Sequence, residues 1–195
     1  MLYGVRLKVE IEIKLRLDGE LESIRRTLRS QGFRISKRRV LEFNTLFDNS
    51  KRTLRKHGKL IRVRRMGPQG VLTYKGPSQP GKYKMREEVE IELPPNHALE
   101  GIFAHIGYHP VFRYEKFRTE YSKARQSGKV LLDETPIGNF LEIEGSARWI
   151  DRTASSLGFS HADYITRSYG YLYLSFCRER RIRPKDMLFK RKLKK

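Results

Sequence analysis

Charged and apolar residues alternate without interruption over residues 9–15, and this stretch contains the first side chains in the chain that could do chemistry. Successive side chains of a strand point to opposite faces, so Glu10, Glu12 and Lys14 share one face, with neighbours about 7 Å apart. Such a face commonly points to solvent. Carboxylates can also bind hard divalent cations, and an ammonium group can bind phosphate oxygens. The choice depends on whether other strands repeat the pattern.

Several later segments repeat it, because charged residues recur at every second position. They are Arg62 and Arg64; Lys75; Arg86, Glu88 and Glu90; Lys116 and Arg118; and Glu142 and Glu144, with Asp133 at a strand end. A solvent-facing sheet surface would mix in neutral polar residues, whereas these positions are nearly all charged. If the sheet closes into a barrel, the charged faces can point into the lumen and the apolar faces can pack against helices.

A lumen lined by both acidic and basic side chains indicates a specific ligand. Arginine and lysine hold phosphate oxygens, while carboxylates bind Mg²⁺ or Mn²⁺, which bridge to phosphates. Uncompensated buried charges would be costly. The combination therefore predicts a metal–triphosphate ligand, since nucleic-acid binding alone would explain the basic residues but not the ordered carboxylates.

The pattern of the rest of the chain predicts the elements that must hold these residues. Strands or extended segments are expected at 9–15, 34–47, 60–65, 71–75, 82–93, 111–122, 129–133 and 140–144, with turns at residues 67–70 and elsewhere. Helices are expected at 20–31, at 97–106 with Asn96 as N-cap, at 146–157 and at 163–176. Gly32, Gly107 and Gly158 end the first three helices.

Composition indicates a folded, strongly basic protein. The 195 residues include 42 Lys and Arg against 22 Asp and Glu, a net charge of +20, which predicts a polyanionic partner. Residues 178–195 carry ten of the basic residues and two acidic ones, so the remainder is basic by itself.

Other classes of protein are disfavoured. The sequence has no apolar run long enough for a membrane span, no signal-peptide core near its first residue and no zinc-binding pattern of cysteine and histidine. Its single cysteine, Cys177, suits a reducing compartment, so we expect a cytoplasmic protein.

The ordered motifs resemble the CYTH superfamily of triphosphate tunnel metalloenzymes. Residues 10–14 resemble its ExExK signature, 46–48 its YFD segment with Leu46 for the usual Tyr, 60–64 its LRxR strand and 72–77 its TxKGP element. Residues 86–90 match RxExE and 115–118 match EKxR, and residues 132–134, 138–145 and 168–169 complete the order. The resemblance covers roughly residues 5–175.

This resemblance implies an α+β fold, an eight-stranded antiparallel β-barrel-like tunnel with flanking helices, over residues 1–177, followed by a basic tail at 178–195. It implies Mg²⁺ or Mn²⁺ as cofactor. The metal ligands would be Glu10, Glu12, Asp133, Glu142 and Glu144. The triphosphate would be held by Lys14, Arg62, Arg64, Lys75, Arg86, Lys116 and Arg118, and Glu10, Glu12 and Lys14 would be catalytic. Mutual ion pairing of Arg86, Glu88 and Glu90 is the alternative for that strand.

Three functions remain open. The amino-acid sequence of residues 73–77 and 140–145 most resembles that of class IV adenylyl cyclases. In those enzymes the ribose 3′-hydroxyl of ATP attacks the α-phosphorus. A phosphohydrolase in the same tunnel would act on the γ-phosphorus of tripolyphosphate, thiamine triphosphate or a nucleotide. A non-enzymatic polyanion or RNA binder would use the net charge and the tail. No membrane partner is expected, and a homodimer is left open.

Overall fold

The computed structural model describes residues 8–94 and 98–190. The strands are β1 (Lys8–Leu17), β2 (Arg34–Asp48), β3 (Leu60–Met66), β4 (Gln69–Lys75), β5 (Lys84–Leu93), β6 (His109–Ser122), β7 (Lys129–Thr135) and β8 (Gly138–Glu144). The helices are α1 (Leu21–Ser30), the single turn α2 (Thr53–Lys56), α3 (Leu99–His105), α4 (Ala147–Ser156) and α5 (Tyr169–Glu179).

The strands form a closed antiparallel barrel in the order β1-β5-β4-β3-β2-β6-β7-β8. Closure depends on β1, whose first half pairs with β5 and whose second half pairs with β8. Glu12 lies opposite Lys84 on one side and opposite Glu144 on the other. The predicted tunnel architecture is confirmed.

Apolar side chains on the outer face of the barrel anchor the helices. Ile13 and Leu15 of β1 pack with Leu28 of α1 and with Trp149 and Ile150 of α4 in the largest buried cluster. On another side, Phe103 of α3 packs against Phe47 and Val63. Since alternate residues of each strand face outward into these clusters, the charged residues between them must face inward.

An aromatic cluster packs α5 against β6 and β8. Tyr114 of β6, Phe140 of β8 and Tyr169 of α5 are buried together with Met187. The Tyr169 ring lies edge-on to Phe140 at 5.5 Å between centroids. α5 is therefore anchored to this side of the barrel by Tyr169.

The last helix begins later than the sequence pattern predicts. Residues 161–163 form one 3₁₀ turn, and Ile165 then pairs in extended conformation with Lys14, through two backbone hydrogen bonds of 2.9 Å. Ser168 caps α5 by accepting a hydrogen bond from the Tyr171 amide. The predicted start near residue 163 is wrong because this pairing with β1 outcompetes helix formation. The predicted cap Asn96 lies outside the described residues.

The segment assigned to a basic tail is partly integrated into the fold. α5 continues to Glu179, and Met187 then pairs in parallel with β6 at Tyr114. This pairing lies beyond Phe117, the last β6 residue that pairs with β7. None of the helices described here is long and apolar enough to span a membrane.

Candidate active site

The barrel encloses a cavity of about 880 Å³ with a charged lining. All but one of the predicted site residues line it: Glu10, Glu12, Lys14, Arg62, Arg64, Lys75, Arg86, Lys116, Arg118, Glu142 and Glu144. The exception is Asp133, which is buried in the wall. The register explains this convergence, because each strand contributes its inward-facing residues to the same lumen.

Three of the five predicted metal ligands meet in one cluster. One carboxylate oxygen each from Glu10, Glu12 and Glu144 lies within 4.8 Å of the other two. Burial, reinforced by the Glu10 carboxylate, raises the pKa of Glu144 to about 7. A divalent cation would relieve this repulsion, and carboxylate oxygens are the ligands that Mg²⁺ and Mn²⁺ prefer. The cluster therefore fits such an ion.

Ammonium groups compensate part of this negative charge. Lys75 Nζ lies 2.5 Å from Glu10 Oε2, and Lys84 Nζ contacts Glu12 Oε1. Lys14 Nζ lies 3.2 Å from Glu12 and 2.9 Å from Glu142. Burial alone would raise the pKa of Glu12, but Lys14 and Lys84 outweigh it and hold this pKa well below its usual range. Glu12 is thus a carboxylate shared between two ammonium groups, those of Lys14 and Lys84.

The facing wall is cationic and is organised around Glu42. Glu42 Oε2 lies 3.4 Å from Arg64 Nε and 3.6 Å from Lys116 Nζ, and Glu42 Oε1 lies 4.0 Å from Arg118 Nε. Arg62 contributes a further guanidinium, which donates a 3.1 Å hydrogen bond to Thr73. Four cations on one wall, opposite three carboxylates, can hold the phosphates of a metal-bound polyanion.

The other two predicted ligands are engaged by cations. Asp133 accepts hydrogen bonds from Lys116 at 2.9 Å, from Arg118 at 2.6 Å and from the Tyr169 hydroxyl at 2.7 Å. Glu142 contacts Lys14 and Arg118. The structure does not bring Asp133 or Glu142 into the three-carboxylate cluster. Both carboxylates instead form ion pairs with cations of the lining.

Two buried donors of the lining lack a protein acceptor. Within the described residues, Arg62 Nε and Arg86 Nε have no hydrogen-bond partner. Buried donors are normally satisfied, so these two fit a ligand rich in acceptor oxygens. Glu88 pairs with Lys75 at 2.9 Å and Glu90 with Arg62 at 3.4 Å. Among the described residues, Glu88 and Glu90 therefore pair with Lys75 and Arg62, and the alternative of mutual pairing with Arg86 is not observed.

Three residues of the site were not predicted. Glu42 lies on β2, between the apolar residues Leu41 and Phe43. Lys84 lies on the inward face of β5, at the start of that strand. The centroid of the Tyr169 ring lies 5.2 Å from Lys14 Nζ and 5.1 Å from Lys116 Nζ. The alternation of charged and apolar residues along their strands could have identified Glu42 and Lys84. The position of Tyr169 depends instead on where α5 begins.

Comparisons with known proteins agree with this architecture. A protein of Methanocaldococcus jannaschii named "Putative adenylate cyclase" is 29% identical over 138 residues, which are 71% of this chain and 77% of that protein. A Vibrio parahaemolyticus structure, also described as "a putative adenylate cyclase", superposes with a TM-score of 0.72 at 20% identity and covers 87% of this chain and 99% of its own. A Hippeastrum structure superposes with a TM-score of 0.61 at 14% identity, covering 86% of this chain and 95% of its own. It is described as a "putative adenylyl cyclase" with a dominant triphosphatase activity.

The family comparison extends over most of the chain. The sequence profile of the CYTH domain matches residues 8–169, from the first described residue of β1 to the first residue of α5. This range contains every strand of the barrel and all of the charged lining residues described above. With the barrel, the inward charges and this match in agreement, the chain belongs to the CYTH domain family.

Proposed function

We propose that the protein is a divalent-metal-dependent enzyme that acts on a triphosphate in the tunnel, and that it converts ATP to cyclic AMP and pyrophosphate. The observation that carries this proposal is the cluster of Glu10, Glu12 and Glu144 facing a wall of buried cations. The name of the Methanocaldococcus jannaschii relative supports the cyclase reaction.

The chain's residues have distinct roles in this proposal. Glu10, Glu12 and Glu144 hold Mg²⁺ or Mn²⁺, which when bound neutralises phosphate charge and polarises the phosphoryl group under attack. Seven cations hold phosphate oxygens: Lys14, Arg62, Arg64, Lys75, Arg86, Lys116 and Arg118. Of these, Lys14 pairs with Glu12 and Glu142. The reaction joins the ribose 3′ oxygen to the α-phosphorus, breaks the bond to the β-phosphate oxygen, and releases pyrophosphate and a proton. Catalysis then consists of positioning and charge neutralisation.

The second candidate is hydrolysis of a triphosphate in the same tunnel. The activity described for the Hippeastrum neighbour favours it. A water molecule would attack the γ-phosphorus and release orthophosphate, with the same residues holding the phosphates. The two reactions differ in which phosphorus faces the nucleophile.

A product assay separates the two. Purified protein is incubated with ATP, and separately with tripolyphosphate, in the presence of Mg²⁺ or Mn²⁺. Cyclic AMP and pyrophosphate in equal amounts support the cyclase, whereas orthophosphate without cyclic AMP supports the hydrolase. Ligand binding that survives chelation, falls steeply with salt and yields no product would instead show the non-enzymatic polyanion binder.

Replacement of the first two acidic ligands tests the enzymatic proposal itself. Glu10→Gln combined with Glu12→Gln keeps the side-chain shapes but removes two of the three charges in the cluster. Turnover is expected to fall by more than about a hundredfold, since changes to residues that merely support metal ligands already cost about 10- to 100-fold.

The control is Glu87→Gln, because Glu87 is exposed on the outward face of β5 between two inward-facing residues. This variant should keep wild-type turnover. Unchanged turnover in the Glu10, Glu12 double variant would rule out both enzymatic proposals.

A further inference from the structure

A second cluster of polar side chains lies outside the tunnel and is centred on Asp151 of α4. Its Oδ2 atom accepts hydrogen bonds from Lys82 Nζ at 2.9 Å and from the Tyr83 hydroxyl at 2.8 Å. Its Oδ1 atom accepts one from the Tyr164 hydroxyl at 3.0 Å and lies 3.4 Å from His161 Nε2. One oxygen thus holds the residues that lead into β5, and the other holds the segment before α5.

Asp151 is attached to the core and carries a constant charge. Ile150, the residue before it, is fully buried in the cluster that joins α4 to β1, and both tyrosine rings pack against the same cluster. Burial would raise the pKa of Asp151, but the hydrogen bonds from Lys82, Tyr83 and Tyr164 outweigh it and lower this pKa to about 2. The group is therefore a carboxylate at neutral pH and accepts all three hydrogen bonds.

The two segments held by Asp151 lie along one edge of β1. Lys84, the first residue of β5, lies opposite Glu12 on this edge. Beyond the start of β5, Ile165 covers the same edge through two backbone hydrogen bonds of 2.9 Å with Lys14. The opposite edge of β1 is occupied by β8. The two tyrosines directly precede Lys84 and Ile165 in the chain, so the anchor lies where both segments reach β1.

The lysines at these two positions share one carboxylate. The ammonium groups of Lys14 and Lys84 both donate to the same atom, Oε1 of Glu12. These contacts fix the direction of a carboxylate that belongs to the three-carboxylate cluster. Loss of a group that holds a metal ligand in place typically costs about 10- to 100-fold in metal affinity or activity. A displacement of either lysine is therefore transmitted to the cluster.

The start of β5 has little other support. Residues 77–82 are exposed and lie outside the helices and strands, with one isolated bridge between Gln79 and Met85. β4 pairs with β5 only from Glu88 onwards, so that β1 is the one described strand that pairs with Lys84. Strand ends with few contacts open locally at low cost. The hydrogen bonds that tie Tyr83 to α4 oppose this opening.

We propose that Asp151 is a positioning residue of the metal site. Through its two tyrosine partners it holds the chain at Lys84 and at Lys14, and thereby the direction of the Glu12 carboxylate. This inference rests on the proposed function, because it assigns Glu12 to a bound cation. It adds a contribution from a residue on the outside of the barrel that contacts neither the cation nor the phosphates.

The test uses conservative variants that keep side-chain shape. Asp151→Asn removes the charge of the anchor, and Tyr83→Phe removes one of its donors while keeping the ring. The control is Tyr171→Phe, the same change at a tyrosine of α5 that is 48% exposed. Lys84→Met provides a background in which one ammonium contact to Glu12 is already lost.

Calorimetry measures the Kd for Mn²⁺ without substrate, at a temperature at which every variant is folded. Asp151→Asn should weaken Mn²⁺ binding by about tenfold, the lower end of the range for groups that support metal ligands. Tyr83→Phe should weaken it by a smaller factor, and Tyr171→Phe should leave it unchanged. In the Lys84→Met background, Tyr83→Phe should change the Kd by less than about twofold, because both changes act on the same contact.

Hydrogen exchange measures the anchor itself, without a metal. The Ile165 amide donates to the Lys14 carbonyl. It should exchange faster in Asp151→Asn than in wild type, because its segment is no longer tied to α4 and opens more often. In Tyr171→Phe it should exchange as in wild type.

Three results would each overturn the inference. They are unchanged exchange at Ile165 in Asp151→Asn, a Kd for Mn²⁺ in that variant that stays the same or becomes tighter, and an equal effect of Tyr83→Phe with and without Lys84. The second result, combined with faster exchange, would show that Asp151 supports the fold but not the site.

Failure of the proposed function gives a different result. If the variants behave as expected but the wild-type protein turns over no triphosphate, the enzymatic proposal fails and the positioning role stands. If the wild-type protein turns over a triphosphate and Asp151→Asn changes neither turnover nor the Kd for Mn²⁺, the enzyme stands and the positioning role fails. A wild-type protein that binds no Mn²⁺ would overturn both.

Discussion

At the residue scale, identical glutamates acquire different ionisation behaviour from their neighbours. Burial would raise the pKa of each. Cations reverse this effect for Glu12 and for Glu42, whose pKa lies at about 2. Glu144 and Glu88 face other carboxylates, and burial with Glu10 nearby leaves the pKa of each at about 7. The site thus combines carboxylates fixed as counter-ions with carboxylates that gain most from an added cation.

Replacement of Glu42 by Gln tests its role as the central counter-ion. Three cations, on Arg64, Lys116 and Arg118, would lose their shared partner within the barrel wall. Removal of one partner from a buried ion pair typically costs about 3–5 kcal/mol, and we expect a loss of this size in the free energy of unfolding at pH 7. The control Glu22→Gln removes a carboxylate that pairs with Arg29 at the surface, where about 0–1 kcal/mol is expected. Chemical denaturation at fixed pH measures both.

The difference in unfolding free energy between wild type and Glu42→Gln should change with pH in one direction. The pKa of Glu42 is lower in the folded protein, at about 2, than the ordinary value of 4.5. Its stabilising contribution is therefore fully present above pH 4.5 and is lost as the pH falls towards 2. The stability gap between wild type and Glu42→Gln should narrow from pH 6 to pH 3. A gap that is constant over this range would contradict the assigned role.

At the element scale, the end of β7 leaves part of β6 to be covered by another segment. The chain after α5 supplies this cover: the Glu115 amide donates to the Met187 carbonyl at 2.9 Å, and the Met187 amide donates to the Arg113 carbonyl at 2.9 Å. The Met187 side chain is buried with Tyr114 and Tyr169. This segment is thus part of the packing that holds α5 against β6.

A pair of neighbouring residues tests this view of the C-terminal segment. Met187→Ala removes a side chain that is 1% exposed, whereas Leu188→Ala removes one that is 39% exposed. We expect Met187→Ala to lower the free energy of unfolding by about 2–5 kcal/mol. Leu188→Ala should stay within about 0.5 kcal/mol of wild type. Equal, small effects of both changes in urea unfolding would show instead that the segment does not pack against β6.

At the scale of the whole molecule, barrel closure places the carboxylates of Glu10, Glu12 and Glu144 close together. A bound cation would reduce the repulsion between them. An ion that binds only the folded state stabilises it by about 2.7 kcal/mol at a concentration one hundred times its Kd. For a protein of this size, this corresponds to a rise in Tm of about 5–10 °C. Metal binding therefore has a thermodynamic signature that is independent of turnover.

Thermal unfolding with and without Mg²⁺ or Mn²⁺, at matched ionic strength, measures this signature. Wild-type protein should show the rise in Tm, and Glu144→Gln should lose most of it because one ligand of the cluster is gone. Glu100→Gln, which alters an exposed carboxylate paired with Arg65, should respond like wild type. The same rise in all three proteins would contradict a metal site at Glu10, Glu12 and Glu144.

Local pattern in the sequence was enough to predict the strands and the charged faces. Period-two alternation in β1, β3, β5 and β6 assigns each side chain to a face, because strand geometry is a local property. The order of motifs such as those at residues 10–14 and 115–118 then indicated the family and its barrel. The missed start of α5 has a non-local cause, since the pairing of Ile165 with Lys14 joins segments far apart in the chain.

Alternation along Glu10, Glu12 and Lys14 therefore determined that these side chains share a face, and tertiary structure decided what that face meets. Glu144 joins Glu10 and Glu12 only because β8 closes the barrel against β1, which places Glu144 opposite Glu12. Asp133 is engaged by Lys116, Arg118 and Tyr169 because β6, β7 and α5 converge on it. Side-chain direction follows from neighbouring residues, but contact across strands follows from register and closure, which depend on the whole chain.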